Sequence, residues 1–126
     1  MNEIRALIVD DSSVMRKIVE RSLRQAGLES LTIFEAGSGV EGLEVLRSKQ
    51  VDIILSDINM PLMDGLEFVR QLRSQKLAEG VPVVMITTES SEEHVKQAIE
   101  AGAMGYIRKP FTADQVKRRV LSLLAA

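Results

Sequence analysis

The sequence has no cysteine and no tryptophan, and only 3% of its 126 residues are aromatic. Without cysteine the chain can form neither a disulfide framework nor a thiolate for chemistry. This composition fits a cytoplasmic protein, because disulfides do not accumulate in that compartment. Tyr106 is the only tyrosine, so fluorescence excited in the tyrosine band reports on one side chain.

The sequence also lacks the features of nucleic-acid-binding, membrane-spanning, secreted and P-loop proteins. Lysine and arginine form no long run and the formal net charge is -2, which argues against direct binding of nucleic acid. No apolar stretch approaches the ~20 residues that cross a membrane, and residues 1–5 lack the order of a signal peptide. The P-loop motif G-x-x-x-x-G-K-[ST] is absent, which excludes that class of NTPase.

Hydrophobic residues make up 45% of the chain and charged residues 27%, a balance typical of a globular domain. The length suits one domain over residues 1–126. Short apolar runs alternate with helical periodicity, and strands are predicted at residues 6–9, 31–34, 51–55, 83–86 and 104–107. This alternation predicts an α/β fold in three layers, with a doubly wound five-stranded parallel sheet covered by helices on both faces.

Five helices are predicted between and after these strands. Gly27 and Gly102 are expected to end the first and the fourth helix. Two capping boxes are predicted, one of Ser90 with Glu93 and one of Thr112 with Gln115. The apolar face of the first helix is predicted to be Val14, Met15, Ile18, Val19 and Leu23, and that of the second helix Val40, Leu43 and Leu46. The corresponding faces of the third, fourth and fifth helices are Leu66, Val69 and Leu72; Val95, Ala98 and Ile99; and Val116, Val120 and Leu123. The methionines at 15, 60, 63, 85 and 104 are interpreted as core residues.

Polar residues follow four of the predicted strands, at the edge where doubly wound folds bind ligands. They are Asp10, Asp11, Asp57, Thr87 and Lys109. Three carboxylates in one cleft repel each other and require a proton or a cation. Oxygen ligands without His or Cys favour Mg²⁺. With a lysine and a hydroxyl nearby, the set suits phosphoryl transfer to a carboxylate nucleophile.

Four segments together resemble response-regulator receiver domains over essentially the whole chain. They are Leu7–Ser12, Ser56–Gly65, Ile86–Thr88 and Ala101–Phe111. The resemblance implies a flavodoxin-like fold and a two-component response regulator that accepts a phosphoryl group from a histidine kinase in a Mg²⁺-dependent reaction. Such a protein is no enzyme beyond catalysing its own phosphorylation and autodephosphorylation.

The resemblance also implies residue roles. Asp57 is expected to be the phosphoacceptor, with Lys109 pairing with the phosphoryl oxygens. The Mg²⁺ ligands are expected to be Asp11, Asp57 and the backbone carbonyl of Asn59, with Asp10 acting through a metal-bound water.

The resemblance also implies residues for the conformational response to phosphorylation and for dephosphorylation. Thr87 is expected to hydrogen-bond a phosphoryl oxygen, and Tyr106 to change rotamer as the readout. Asn59 and Glu89 are expected to tune dephosphorylation, and the Lys109–Pro110 peptide bond to be cis.

The expected partners are a histidine kinase or phosphotransfer protein and a downstream protein target, bound through the face formed by helix 4, strand 5 and helix 5. We expect a monomer or weak dimer that neither enters a membrane nor binds nucleic acid. The sequence stops shortly after the last helix, which favours a stand-alone, chemotaxis-type regulator unless the chain is part of a longer protein. Departures from the family at Ile58, Thr88, Glu92 and Arg108 weigh against binding to the flagellar switch.

Some residues have simpler interpretations. Thr88 is an alternative to Thr87, and His94 is expected to be exposed rather than a metal ligand. The basic first helix, with Arg16, Lys17, Arg21 and Arg24, is either a solvated face or a docking surface for an acidic kinase helix.

Two rival functions share this fold. A flavodoxin-like cofactor binder would need a first loop of low negative charge, which Asp10 and Asp11 oppose. A pseudo-receiver that never transfers phosphate would be expected to lack Asp11, Asp57 or Lys109.

Overall fold

The computed structural model describes residues 3–28, 30–88 and 92–124, with residue 92 described by its backbone alone. Five parallel strands form one sheet in the order β2-β1-β3-β4-β5. The strands are β1 (Ile4–Val9), β2 (Leu31–Ala36), β3 (Ile53–Ser56), β4 (Val83–Thr87) and β5 (Gly105–Arg108). The helices are α1 (Ser13–Gln25), α2 (Gly39–Ser48), α3 (Gly65–Ser74), α4 (Glu92–Ala101) and α5 (Ala113–Leu124). The predicted fold is confirmed.

The strand order reverses at β1, which pairs with β2 on one side and with β3 on the other. Helices α1 and α5 pack together, while α2 contacts α3 and α3 contacts α4. Val9 is in register with Ser56, so the residues that follow these two strands leave the sheet side by side. This reversal of the strand order is where doubly wound folds form a crevice for ligands.

Alternate side chains of each central strand enter two separate apolar layers. Leu7 and Val9 belong to one buried cluster, whereas Ala6 and Ile8 belong to the other. Strand segments covered on both faces need apolar residues at every position, which is why the buried part of β1, residues 6–9, is a continuous apolar run. The two layers make the sheet a rigid platform for the polar residues at its edge.

Local signals at element ends behave as predicted. Gly27 and Gly102 follow α1 and α4 with φ of 93° and 118°, values that favour glycine. Gln115 Oε1 accepts from the Thr112 N–H at 2.9 Å, and Thr112 Oγ1 accepts from the Gln115 N–H at 3.1 Å, as in a capping box. The predicted box at Ser90 lies outside the described residues.

The third strand begins at Ile53, two residues later than predicted. Asp52 pairs with the backbone of Arg5 through its side chain, since Oδ2 accepts from the Arg5 N–H at 2.8 Å. The Asp52 carboxylate therefore takes the place of a backbone acceptor for the Arg5 N–H just before β3 begins. The described helices include none long and apolar enough to cross a membrane.

Five apolar side chains assigned to helix faces or to the core are exposed: Val14 (68%), Ile18 (40%), Val40 (54%), Ile99 (62%) and Met104 (55%). In α1 the buried apolar row is Val19 and Leu23, while the neighbouring row faces solvent. Helical spacing identifies apolar rows but not which row packs. Met104 precedes β5, and His94 is half-buried rather than exposed.

Candidate functional site

Three carboxylates converge where β1 and β3 end. Asp10 and Asp11 follow β1, Asp57 follows β3, and each offers an oxygen within 4.8 Å of the others. Asp10 and Asp57 are 4% and 8% exposed, while Asp11 faces solvent. One accessible and two buried carboxylates therefore form a single acidic pocket.

Lys109 brings a positive charge to this pocket from the far end of the sheet. Its Nζ lies 3.3 Å from Asp10 Oδ2 and 3.4 Å from Asp57 Oδ2, and its side chain is 13% exposed. The Lys109 N–H donates to Thr87 O at 2.8 Å, so β4 and the residue after β5 stay paired. The Lys109–Pro110 bond is cis, as expected. A single ammonium thus bridges two of the three carboxylates.

The two oxygens of Asp57 have different surroundings. Oδ1 accepts from the Ile58 N–H at 2.7 Å and the Asn59 N–H at 3.3 Å. Oδ2 faces Lys109, and among the described residues it accepts from no backbone group. Burial raises the pKa of Asp57 above its ordinary value, Lys109 opposes that rise, and Asp10 adds to it. Oδ2 is therefore the oxygen of Asp57 that faces the Lys109 ammonium without a described backbone donor.

Short-range hydrogen bonds hold the loop between β1 and α1. The Asp10 N–H donates to Ala36 O at 3.1 Å, and Asp10 Oδ1 accepts from the Ser12 N–H at 2.9 Å. Ser12 in turn caps α1, since Oγ accepts from the Met15 N–H at 3.2 Å. The loop that carries the two acids is tied to a neighbouring strand and to a helix.

The segment after Asp57 returns tightly to α3. Asp64 caps α3 through Oδ1, which accepts from the Glu67 N–H at 2.8 Å, and the Gly65 N–H donates to Ile58 O at 2.7 Å. Ser56, buried at the end of β3, donates its hydroxyl to Asp57 O at 2.9 Å. Sequence reasoning overlooked Ser56, although a polar residue closing a buried strand is a usable signal.

The remaining predicted residues lie on β4 and β5 or next to Asp57. Thr87 is fully buried at the end of β4, whereas Thr88 is exposed. Tyr106 is half-buried against the cluster that contains Leu7, and its hydroxyl oxygen is buried. Asn59 is exposed, and Glu89 lies outside the described residues.

The donor set matches a hard divalent cation. Only carboxylate oxygens form the cluster, and histidine takes no part in it among residues 3–28, 30–88 and 92–124. The exposed Asp11 gives solvent access, and the two buried acids are fixed by Lys109 and by backbone N–H groups. The residues present therefore fit Mg²⁺, and the same pocket opposes the phosphate groups of a flavin-type cofactor.

Comparisons with known proteins show which family the sequence matches. The model of the response regulator receiver domain matches residues 6–121. The chain is 38% identical over 122 residues to a chemotaxis protein CheY homologue of Campylobacter jejuni, covering 96% of this chain and 92% of that protein.

Solved structures give the same result. The Vibrio cholerae chemotaxis protein CheY4 superposes with a TM-score of 0.87 at 34% identity, over 97% of this chain and 99% of that one. The receiver domain of a NarL response regulator from Mycobacterium tuberculosis gives 0.88 at 29% identity, over 100% and 99%.

Proposed function

The chain belongs to the response regulator receiver domain family, and we propose that Asp57 accepts a phosphoryl group from a phosphohistidine of a histidine kinase or phosphotransfer protein. The observation that carries this assignment is the position of Asp57. It is buried, close to Asp10, Asp11 and Lys109, and its Oδ2 has no backbone donor among the described residues. A carboxylate in this setting is a nucleophile with its charge partners already in place.

In the proposed reaction Asp57 Oδ2 attacks the phosphorus while the phosphorus–nitrogen bond of the donor breaks. The imidazole leaves with the electron pair of that bond, and an acyl phosphate forms on Asp57. Lys109 stabilises the negative charge on the transferred oxygens, and Thr87 donates its hydroxyl to one of them. Asp11, Asp57 and the Asn59 carbonyl would hold Mg²⁺, with Asp10 acting through water, and the bound cation would supply charge neutralisation for the donor and acceptor oxygens.

Loss of the phosphoryl group is hydrolysis of that acyl phosphate. A water attacks phosphorus and the Asp57 carboxylate leaves. Asn59 is exposed next to Asp57, and together with Glu89 it tunes the approach of this water. The protein then catalyses only its own phosphorylation and dephosphorylation.

Intact-mass measurement after incubation with acetyl phosphate tests the acceptor. We expect one phosphoryl adduct that requires Mg²⁺ and is absent in Asp57→Asn. Asp52→Asn is the matched control, because Asp52 lies at the opposite end of β3 and should leave the adduct unchanged. A stable adduct in Asp57→Asn would refute the assignment.

Thr87 and Tyr106 form the proposed switch. Thr87 is fully buried behind the pocket, and the hydroxyl of Tyr106 points into the protein. A ring with this placement changes its exposure if Thr87 moves toward a phosphoryl group. Beryllofluoride with Mg²⁺ should reduce acrylamide quenching of Tyr106 emission, with no change in Asp57→Asn and a weaker one in Thr87→Ala. Unchanged quenching at saturating mimic, shown by a thermal shift, would remove Tyr106 from the switch.

The downstream target is proposed to bind the face of α4, β5 and α5 through an acidic segment. An open groove of about 720 Å³ runs along the part of this face formed by β5 and α5. Its lining is Tyr106, Ile107, Arg108, Pro110, Gln115, Arg118, Arg119 and Ser122. Arg118 pairs with Asp114 at 2.7 Å, whereas Arg108 and Arg119 form no ion pair within the described part of the chain. Acidic side chains of a target complement these two arginines.

Magnetic resonance titration tests the partner chemistry. An acidic peptide should shift the amides of β5 and α5, and a basic peptide of equal length should not. Arg108→Glu together with Arg119→Glu should abolish the shifts. Equal shifts with both peptides would contradict the proposed acidic target.

A further inference from the structure

Arg16, in the first turn of α1, reaches back to the loop that carries the two acids. Its Nη1 donates to the backbone carbonyl of Asp10 at 2.6 Å, and its Nε donates to Glu35 Oε1 at 3.0 Å. The side chain is 18% exposed. Arg16 is therefore a mostly buried contact between α1, the β1–α1 loop and the end of β2, and not part of a solvated face.

The carbonyl that Arg16 contacts belongs to the peptide group between Asp10 and Asp11. Rotation of this group would turn the Asp11 carboxylate relative to Asp10. The other side of Asp10 is also fixed, because its N–H donates to Ala36 O at 3.1 Å. With both sides held, the two acids keep one relative orientation.

Glu35 anchors the guanidinium from β2. Its Oε1 accepts from Arg16, and its Oε2 lies 3.0 Å from Lys17 Nζ. The hydrogen bond from Lys17 is the largest of the effects that hold the pKa of Glu35 below its ordinary value. An ionised Glu35 gives charge-assisted bonds, which are shorter and stronger than neutral ones. Two consecutive cations of α1 thus share one carboxylate at the end of β2.

We propose that Arg16 is a positioning residue for the cation site, which it serves by fixing the peptide group between Asp10 and Asp11. The inference rests on the proposed function, since it concerns the same Mg²⁺ site. The role is geometric rather than electrostatic, because Arg16 contacts the loop through the backbone carbonyl of Asp10 and its described ion pair is with Glu35, outside the acidic pocket. Only a forked donor can reach Glu35 and the Asp10 carbonyl together.

Arg16→Lys tests the geometry because it keeps the charge and loses the fork. We expect Mg²⁺ to bind about tenfold more weakly in Arg16→Lys, the range seen when a partner behind a metal ligand is lost. Lys17→Met is the matched control, because Lys17 also pairs with Glu35 and does not contact the loop. We expect an effect of about twofold or less there, since a charge at an exposed side chain is screened by salt.

The affinity is measured on the folded protein, by titrating Mg²⁺ while following the amide resonances of Ser12 and Asn59. A second readout needs no metal. The Ser12 amide, whose N–H donates to Asp10 Oδ1, should exchange faster with solvent in Arg16→Lys in the presence of chelator. The amide of Leu55, in the buried β3, reports global opening and should keep its protection relative to overall stability.

Wild-type Mg²⁺ affinity in Arg16→Lys would overturn the inference, as would equal weakening in Arg16→Lys and Lys17→Met. If Arg16→Lys does not fold, Glu35→Gln decides, because it leaves Arg16 in place and removes its charged anchor. Unchanged affinity in Glu35→Gln would then refute the role. Failure of the wild type to bind Mg²⁺ would defeat both the proposed function and this inference, whereas normal wild-type binding with an unaffected Arg16→Lys defeats this inference alone.

Discussion

Gly65 begins α3 directly after the segment that follows Asp57, and its lack of a side chain allows the helix to approach Asp57 closely. A Cβ at this position would lie 2.1 Å from the backbone oxygen of Asp57, 2.8 Å from Ile58 Cα and 2.7 Å from Met85 Cε. Two of these three neighbours are backbone atoms of Asp57 and Ile58. Gly65→Ala therefore cannot be accommodated by a side-chain rotation.

Gly39 offers a matched comparison because it is the first residue of α2. A Cβ there would meet only the side chain of Met63, with Sδ at 2.7 Å. Met63 is half-buried and flexible, so it can move away, and we expect Gly39→Ala to cost about 1 kcal/mol or less.

For Gly65→Ala the backbone must move by about 1.3 Å to bring the contact with the Asp57 oxygen from 2.1 Å to the ordinary distance of 3.4 Å. We expect a loss of about 3 kcal/mol, the upper end for overpacking, which corresponds to a fall of about 10 °C in Tm. A shift of that size at the acceptor should also slow phosphorylation about 100-fold.

Urea unfolding of both variants measures the stability difference, and the rate of adduct formation with acetyl phosphate measures the displacement of Asp57. We expect Gly65→Ala to be less stable than Gly39→Ala and to form the adduct more slowly. Equal stabilities for Gly65→Ala and Gly39→Ala, together with normal phosphorylation of the former, would refute the steric argument.

Three further predictions concern charge and hydrogen bonding. Burial raises the pKa of Asp57, so the ionised carboxylate destabilises the folded protein increasingly as the pH rises through that pKa. In chelator, Asp57→Asn should therefore raise Tm little near pH 4 and more at higher pH. A rise in Tm that shrinks with increasing pH would contradict this. Asp11→Asn should raise Tm in chelator and lose most of the stabilisation by Mg²⁺. In the wild type this stabilisation is about 2.7 kcal/mol at a Mg²⁺ concentration of 100 times Kd. Equal stabilisation of wild type and variant by Mg²⁺ would remove Asp11 from the ligand set. Arg73 donates to the backbone oxygens of Ala78, Val81 and Gly102 at 3.4, 3.2 and 3.2 Å. Arg73→Met should therefore lower the free energy of unfolding in urea by about 2 kcal/mol. Arg70→Met, which removes an exposed ion pair, should leave this free energy nearly unchanged.

The positions of the strands were predictable because buried parallel strands have continuous apolar runs. The same alternation placed Asp10, Asp57 and Lys109 at one edge of the sheet, since the carboxyl ends of parallel strands meet there. The individual roles within that edge came from the resemblance to receiver domains, because spacing alone cannot distinguish a nucleophile from a ligand.

Arg16 shows what sequence patterns could not provide. Its neighbours in α1 are basic, and a basic helix face is most simply solvated. The contact with the Asp10 carbonyl depends on where the β1–α1 loop turns and on Glu35 arriving from β2, which is a separate segment of the chain. The exposure of Val14 has the same origin, because the packing of α1 against the sheet selects one apolar row over its neighbour.

If Asp57 is phosphorylated as proposed, the charge of the pocket would link this phosphorylation to the proposed switch of Thr87 and Tyr106. Three ionised carboxylates and one lysine leave a formal charge of -2, which one divalent cation would balance. Replacing the charge of the Asp57 carboxylate by a phosphoryl group of about -2 leaves an excess of about one negative charge. Lys109 is already in the pocket, and Thr87 is buried at the end of β4, where its carbonyl accepts from the Lys109 N–H. We therefore expect the excess charge to draw Thr87 inward, which would make the movement beside Tyr106 a consequence of charge balance rather than a separate device.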